Sequence, residues 1–153
     1  MPRYVSPNEF KNLVDEYCKF LEIEYGCLIN KINDWKYTVE NSTTRVLILI
    51  EGDALTIGIE PIGDGANQLL RQNIIPSGIE VYVISECLDP TLHYEIAWMG
   101  NEKYTHDIKV EIQKRTDLLK KYCTNMLQGD YSEWPKVEKC LSERRRKLQD
   151  STW

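Results

Sequence analysis

The residues of this chain best suited to nucleophilic attack, proton transfer or metal binding are five cysteines and two histidines. His93 follows Cys87 closely, and a Cys–His pair would supply the nucleophile and base of a small hydrolase or transferase. Such a pair is made by spatial partners and local electrostatics, however, and Cys87 follows an apolar run that suits a packed thiol. Zinc has no foothold. The chain contains no Cys-x-x-Cys, no His-x-x-x-His and no compact His/Asp cluster, so closely spaced ligands are missing. Gly52-Asp53 and Gly63-Asp64-Gly65 invite comparison with phosphate loops, but neither leads into Gly-Lys-Ser/Thr, and their carboxylates repel phosphate. Both read as turns. No catalytic residue, metal or cofactor is expected.

The cysteines, at positions 18, 27, 87, 123 and 140, are odd in number, widely spaced and set in apolar periodic segments. They read as reduced core thiols and not as a disulfide framework. With 153 residues, 42% apolar and 28% charged, the composition is that of one globular domain. The start of the chain lacks the basic-then-apolar pattern of a secretory signal, and the longest apolar run, Val46 to Ile50, is too short to cross a bilayer. A cytoplasmic protein without a membrane partner is the expectation. The net charge of −5 hides a polarity: residues 1–102 hold sixteen acids against seven bases, and residues 103–153 hold eight against twelve. An acid-rich sheet portion suits a basic partner and repels nucleic acid.

The element that must position anything functional is the stretch Arg45–Glu60. It reads as a β-hairpin turning at Gly52-Asp53, its first strand apolar at every position from Val46 to Ile50, as if covered on both faces. Leu55, Ile57 and Ile59 alternate with Thr56, Gly58 and Glu60 on the return. Before it, Ser6-Pro7-Asn8-Glu9 predicts a helix from Pro7 to about Glu22, with Phe10, Leu13, Val14, Tyr17 and Leu21 as its apolar stripe. Trp35, Tyr37 and Val39 alternate with Lys36, Thr38 and Glu40 in a strand. After the hairpin, residues 61–75 carry no firm assignment, Ile79–Ile84 reads as a fourth strand, and Asp89–Met99 reads as strand in preference to helix. A long helix is predicted through Ile108, Ile112, Leu119, Cys123, Met126 and Leu127 with Gly129 at its C-terminal cap, then a last helix with Trp134, Val137 and Leu141 inward. The fold class is therefore α+β: an antiparallel sheet of four to five strands with an N-terminal helix and two C-terminal helices.

The segment Leu118-Leu-Lys-Lys-Tyr-Cys-Thr-Asn-Met-Leu-Gln-Gly-Asp-Tyr-Ser-Glu-Trp134 resembles the closing motif of small bacterial toxin-immunity proteins of contact-dependent growth-inhibition and polymorphic toxin systems. In these a helix of the form Leu-x-x-Tyr leads to Leu-x-Gly-Asp-aromatic-Ser. The resemblance implies an antitoxin that binds a cognate protein toxin, such as a basic nuclease, and has no activity of its own. It carries over no contact residues. From charge and turn position, the partner-binding set is Glu51, Asp53, Glu60, Asp64, Asp89, Glu95 and Glu102, with Trp98 as an aromatic anchor. Two alternatives stand beside this reading: a nucleic-acid-binding or regulatory module using the basic run Arg144–Lys147, and the small Cys87/His93 enzyme. A cation cluster near a helix C-terminus is favourable without any nucleic acid, which weakens the first. Nothing in the sequence sets the oligomeric state.

Overall fold

Ser6 opens the first helix as its spacing predicts: its Oγ accepts the Glu9 amide at 3.1 Å, and Pro7 stands at the first helical position. This computed structural model describes residues 5–52, 54–92 and 107–151. Helix α1 (Pro7–Tyr17) breaks at Cys18, and the chain continues as α2 (Lys19–Tyr25), so the single helix expected to about Glu22 is two pieces. Phe10, Val14, Cys18 and Leu21 keep one buried stripe through the break. Gly26, at φ +66°, ends α2 in the left-handed conformation.

Five strands follow in chain order and in sheet order, each antiparallel to the next: β1 (Leu28–Asn33), β2 (Lys36–Glu40), β3 (Thr44–Glu51), β4 (Ala54–Pro61) and β5 (Ile79–Glu80). The hairpin β3–β4 is central and in the expected register, with Arg45 opposite Glu60 and Ile50 opposite Leu55. One expectation is corrected here. β3 is not covered on both faces: Val46, Ile48 and Ile50 are buried while Arg45, Leu47 and Leu49 are half-exposed. Leucine on a half-open face looks in sequence like a core residue, which is why the run gave the wrong answer.

Residues 61–75 contain helix α3 (Gly63–Leu70), so Gly63-Asp64-Gly65 forms a first helical turn and not a free turn. The predicted strand Ile79–Ile84 is corrected as well. Only Ile79 and Glu80 pair with β4, and Val81–Leu88 is helix α4, burying Val81, Ile84, Ser85 and Cys87. Their three- and four-residue spacing is helical, but the β-branched run Val81-Tyr-Val-Ile84 masked it locally. The preferred strand at 89–99 falls mostly outside the described residues; Asp89–Thr91 form a turn. The long C-terminal helix is α5 (Ile108–Tyr122), interrupted at Cys123 and resumed as the single turn α6 (Thr124–Leu127); α7 (Trp134–Ser151) closes the chain.

One core joins the inner face of the sheet, through Tyr37, Val39, Val46, Ile48, Ile57 and Ile59, to the helices, which contribute Phe10, Leu21, Ile84, Ile112, Leu119 and Trp134. α4 packs against both α5 and α7. Cys87 on α4 is bonded to Cys140 on α7, which corrects the expectation that all cysteines are reduced; Cys18, Cys27 and Cys123 are free and buried. The fold is α+β, as predicted, with helices on one face of an antiparallel sheet.

Candidate functional site

In the immunity-like segment, residues 118–134, the side chains of Leu118, Leu119, Cys123, Met126 and Leu127 are buried, while Lys120, Lys121, Asn125, Gln128, Asp130 and Ser132 are exposed. Its Tyr131 is fully buried and its hydroxyl meets Thr44 Oγ1 at 2.6 Å, while Thr44 Oγ1 also donates to the Met126 carbonyl at 2.7 Å. Asn41 Nδ2 donates to the Leu127 carbonyl, and Gln68 on α3 both donates to the Gly129 carbonyl and accepts the Tyr131 amide. Gly129 has φ +90°, and a side chain there would press on Thr43. Asp130 accepts the Ser132 amide at 2.9 Å, which holds its carboxyl below the ordinary range, and Trp134 stacks edge-on against Tyr131. The motif therefore clasps the Asn41–Thr44 turn and α3. It shapes the fold and presents no side chain to a partner from Tyr131 or Trp134.

Of the acids chosen from charge and turn position, the structure describes Glu51, Glu60, Asp64 and Asp89. Glu51 is exposed at the tip of the hairpin, whereas Glu60 stands at its base opposite Arg45, about 20 Å away along the strands. Asp64 is exposed in the first turn of α3. Asp89 is committed to structure: it accepts the Thr91 hydroxyl at 2.6 Å and the Tyr122 hydroxyl at 2.8 Å, and these bonds lower its pKa. Asp53, Glu95, Trp98 and Glu102 lie outside the described residues. Two other acids in the same acid-rich portion are also engaged, since Glu86 pairs with Arg144 at 2.7 Å and burial raises the pKa of Glu80. Of the Cys87/His93 pair, Cys87 is bonded to Cys140 in this structure, and His93 lies outside the described residues. In the basic run, Arg144 is held by Glu86 while Arg145, Arg146 and Lys147 are exposed. Among the described residues no group of His, Cys, Asp and Glu could hold a metal ion.

What the structure does bring together is the outer face of the sheet. Asn30 and Ile32 of β1, Lys36, Thr38 and Glu40 of β2, Arg45 and Leu47 of β3 and Glu60 of β4 line one shallow groove of about 390 Å³. Strand alternation aims these side chains away from the helices, and the pairings Asn30–Thr38, Thr38–Leu47, Glu40–Arg45 and Arg45–Glu60 set them side by side. Arg45 is the centre. Its Nε donates to Glu40 and its guanidinium NH1 to Glu60, each at 2.7 Å, so a cation is held upright between two carboxylates and its own pKa is raised. Apolar surface flanks this triad, with Ile32 and Leu28 more than half exposed on the edge strand. The outer edge of β1 pairs with no other strand among the described residues.

Of the predicted residues that the structure describes, only Glu60 belongs to this groove. Arg45, Glu40, Leu47, Asn30, Ile32, Lys36 and Thr38 were missed, although the polar alternation Lys36-Thr38-Glu40 was the available signal for an uncovered face. Comparison with protein-family models, with curated proteins and with solved structures finds no match to this chain.

Proposed function

We propose that this protein is an immunity protein that binds and neutralises a cognate bacterial toxin domain in the cytoplasm, without catalysis of its own, and that the open sheet face is where the toxin docks. The observation that carries this reading is the groove centred on Arg45, an uncovered face combining a fixed charged triad with flanking leucine and isoleucine. An arginine already oriented by two carboxylates loses little freedom on binding, and arginine beside apolar surface is typical of the residues that dominate interface energies. The acid surplus of residues 1–102 favours a basic partner, such as a nuclease, by steering its approach. Area sets a further requirement. Four strands about 4.8 Å apart and about 20 Å long present roughly 400 Å², half of what one side of a stable interface buries. The toxin must therefore reach past the sheet, over Leu28 on β1 or Glu51 at the hairpin tip.

The test is co-purification with the product of the adjacent gene, which for an immunity gene lies directly upstream and encodes a large toxin. Arg45→Ala and Leu47→Lys are each expected to weaken that complex at least about tenfold while the circular dichroism of the free protein is unchanged. A complex of undiminished affinity in both variants removes the sheet face from the interface, and failure of the purified proteins to associate removes the immunity reading itself.

A further inference from the structure

Cys87 and Cys140 are the one bonded pair among five cysteines, and they join two helices that no turn connects. The remaining thiols do not compete for them. Cys18 and Cys123 are fully buried and Cys27 is nearly so, and burial pushes Cys18 up to about 12 and Cys27 up to about 11, so none is a ready nucleophile. The bond itself is asymmetric: Cys87 is buried on the core side of α4, whereas Cys140 is half-exposed on α7.

Position along α7 gives the bond its consequence. The fully buried side chains of this helix, Trp134 and Val137, lie before Cys140; after it Leu141 is half-buried, and Glu143, Arg145, Arg146 and Lys147 are exposed. A segment of about eleven residues is too short to hold helical form in isolation. One turn beyond the bond, Arg144 reaches back to Glu86, the neighbour of Cys87, at 2.7 Å. The two links thus fasten the same stretch of α7 to the same turn of α4, and the second is a partly exposed ion pair of the weak kind.

We propose that the Cys87–Cys140 bond is a redox-addressable clasp: closed, it docks the second half of α7 on α4, and opened by a dithiol reductant it releases that half with its cations Arg144–Lys147. Chemically, a thiolate of the dithiol attacks Sγ of half-exposed Cys140, forming a mixed disulfide and expelling Cys87 as a thiolate that takes a proton. The second thiol of the reductant then attacks its own mixed-disulfide sulfur and expels Cys140. Two electrons pass from the dithiol, which is oxidised to its cyclic disulfide, to the protein, which gains two thiols. In a reducing cytoplasm the clasp stands open, and oxidation closes it.

Hydrogen exchange followed by mass spectrometry on the full chain, air-oxidised or held in dithiothreitol, tests the proposal. Amides of residues 141–149 are expected to exchange at least about tenfold faster in dithiothreitol, while those of β3 and β4 change little. The double variant Cys87→Ser/Cys140→Ser is expected to show the fast pattern in both conditions. Equal exchange of 141–149 in the two states, with the bond verified as present in one and absent in the other by mass, overturns the clasp. So does an air-oxidised protein that presents five alkylatable thiols after denaturation, or a bond that native protein retains in dithiothreitol.

Discussion

The hydroxyl of Tyr131 lies 2.6 Å from Oγ1 of Thr44, eighty-seven residues away in sequence, in a space closed to water. Thr44 has one proton, and the Met126 carbonyl at 2.7 Å takes it; Tyr131 is therefore the donor in the pair. Burial holds the Tyr131 phenol well above its ordinary pKa, which keeps that donor protonated. Tyr131→Phe is expected to cost about 1–2 kcal/mol in urea unfolding, and Thr44→Val somewhat more, because it removes the short bonds to both the Met126 carbonyl and the Tyr131 hydroxyl and leaves them only the Gly129 amide and the Thr43 carbonyl. The double variant should cost less than the sum, a coupling that two independent sites would not show.

Two glycines test steric closure against backbone strain. A Cβ on Gly65 would lie 2.3 Å from the Thr43 carbonyl oxygen and 2.6 Å from the Tyr131 ring, whereas one on Gly26 would meet nothing within 4 Å and bear only the left-handed φ of +66°. Gly65→Ala is expected to destabilise by about 3 kcal/mol or more and Gly26→Ala by about 1 kcal/mol. Thermal melts of the two variants should rank in that order.

Glu111 and Arg115, one helical turn apart on α5, form an ion pair in which both side chains are almost wholly buried. Removing the carboxylate by Glu111→Ala leaves a buried guanidinium without it, and the expected loss is about 3–5 kcal/mol in chemical denaturation. Replacing both partners together, as Glu111→Leu/Arg115→Met, is expected to restore part of that loss, since neither charge of the pair remains.

The pH dependence follows from groups at both ends of the scale. Asp89 and Asp130 have folded pKa values below the ordinary 3.8, so each contributes stability that is present above that value and is lost as the pH falls through the folded one. Asp89→Asn should flatten the acid limb. Cys27 is raised from 9.0 to about 11, so it contributes stability that is full below pH 9.0 and lost as pH rises toward 11. Urea midpoints are expected to fall across that alkaline window, less steeply in Cys27→Ala.

The α1 cap and the hairpin register were legible in the sequence because both are local: Ser6 bonds three residues ahead, and Arg45 and Glu60 are fixed by one short turn. Helix α4 was not, since Val81-Tyr-Val-Ile84 carries β-branched residues and only the packing of α5 and α7 selects the helical period. The groove depends on which face the helices cover, a tertiary choice that Leu47 and Leu49 disguise. Charge and turn position do not reveal which acids are already engaged, a tertiary matter: Asp89 accepts from Thr91 and Tyr122, and Glu86 from Arg144.

The bond between Cys87 and Cys140 also makes part of this chain a ring. It closes a circuit across a sequence separation of 53, which in chain-entropy terms narrows the unfolded ensemble by about 4 kcal/mol. Within that circuit lie α5 and α6 and the segment between α4 and α5. A protease that cuts any one peptide bond between residues 88 and 139 would therefore yield no separate fragments. On a gel without reductant the nicked protein would run as one species of unaltered mass, and only after reduction would it part in two.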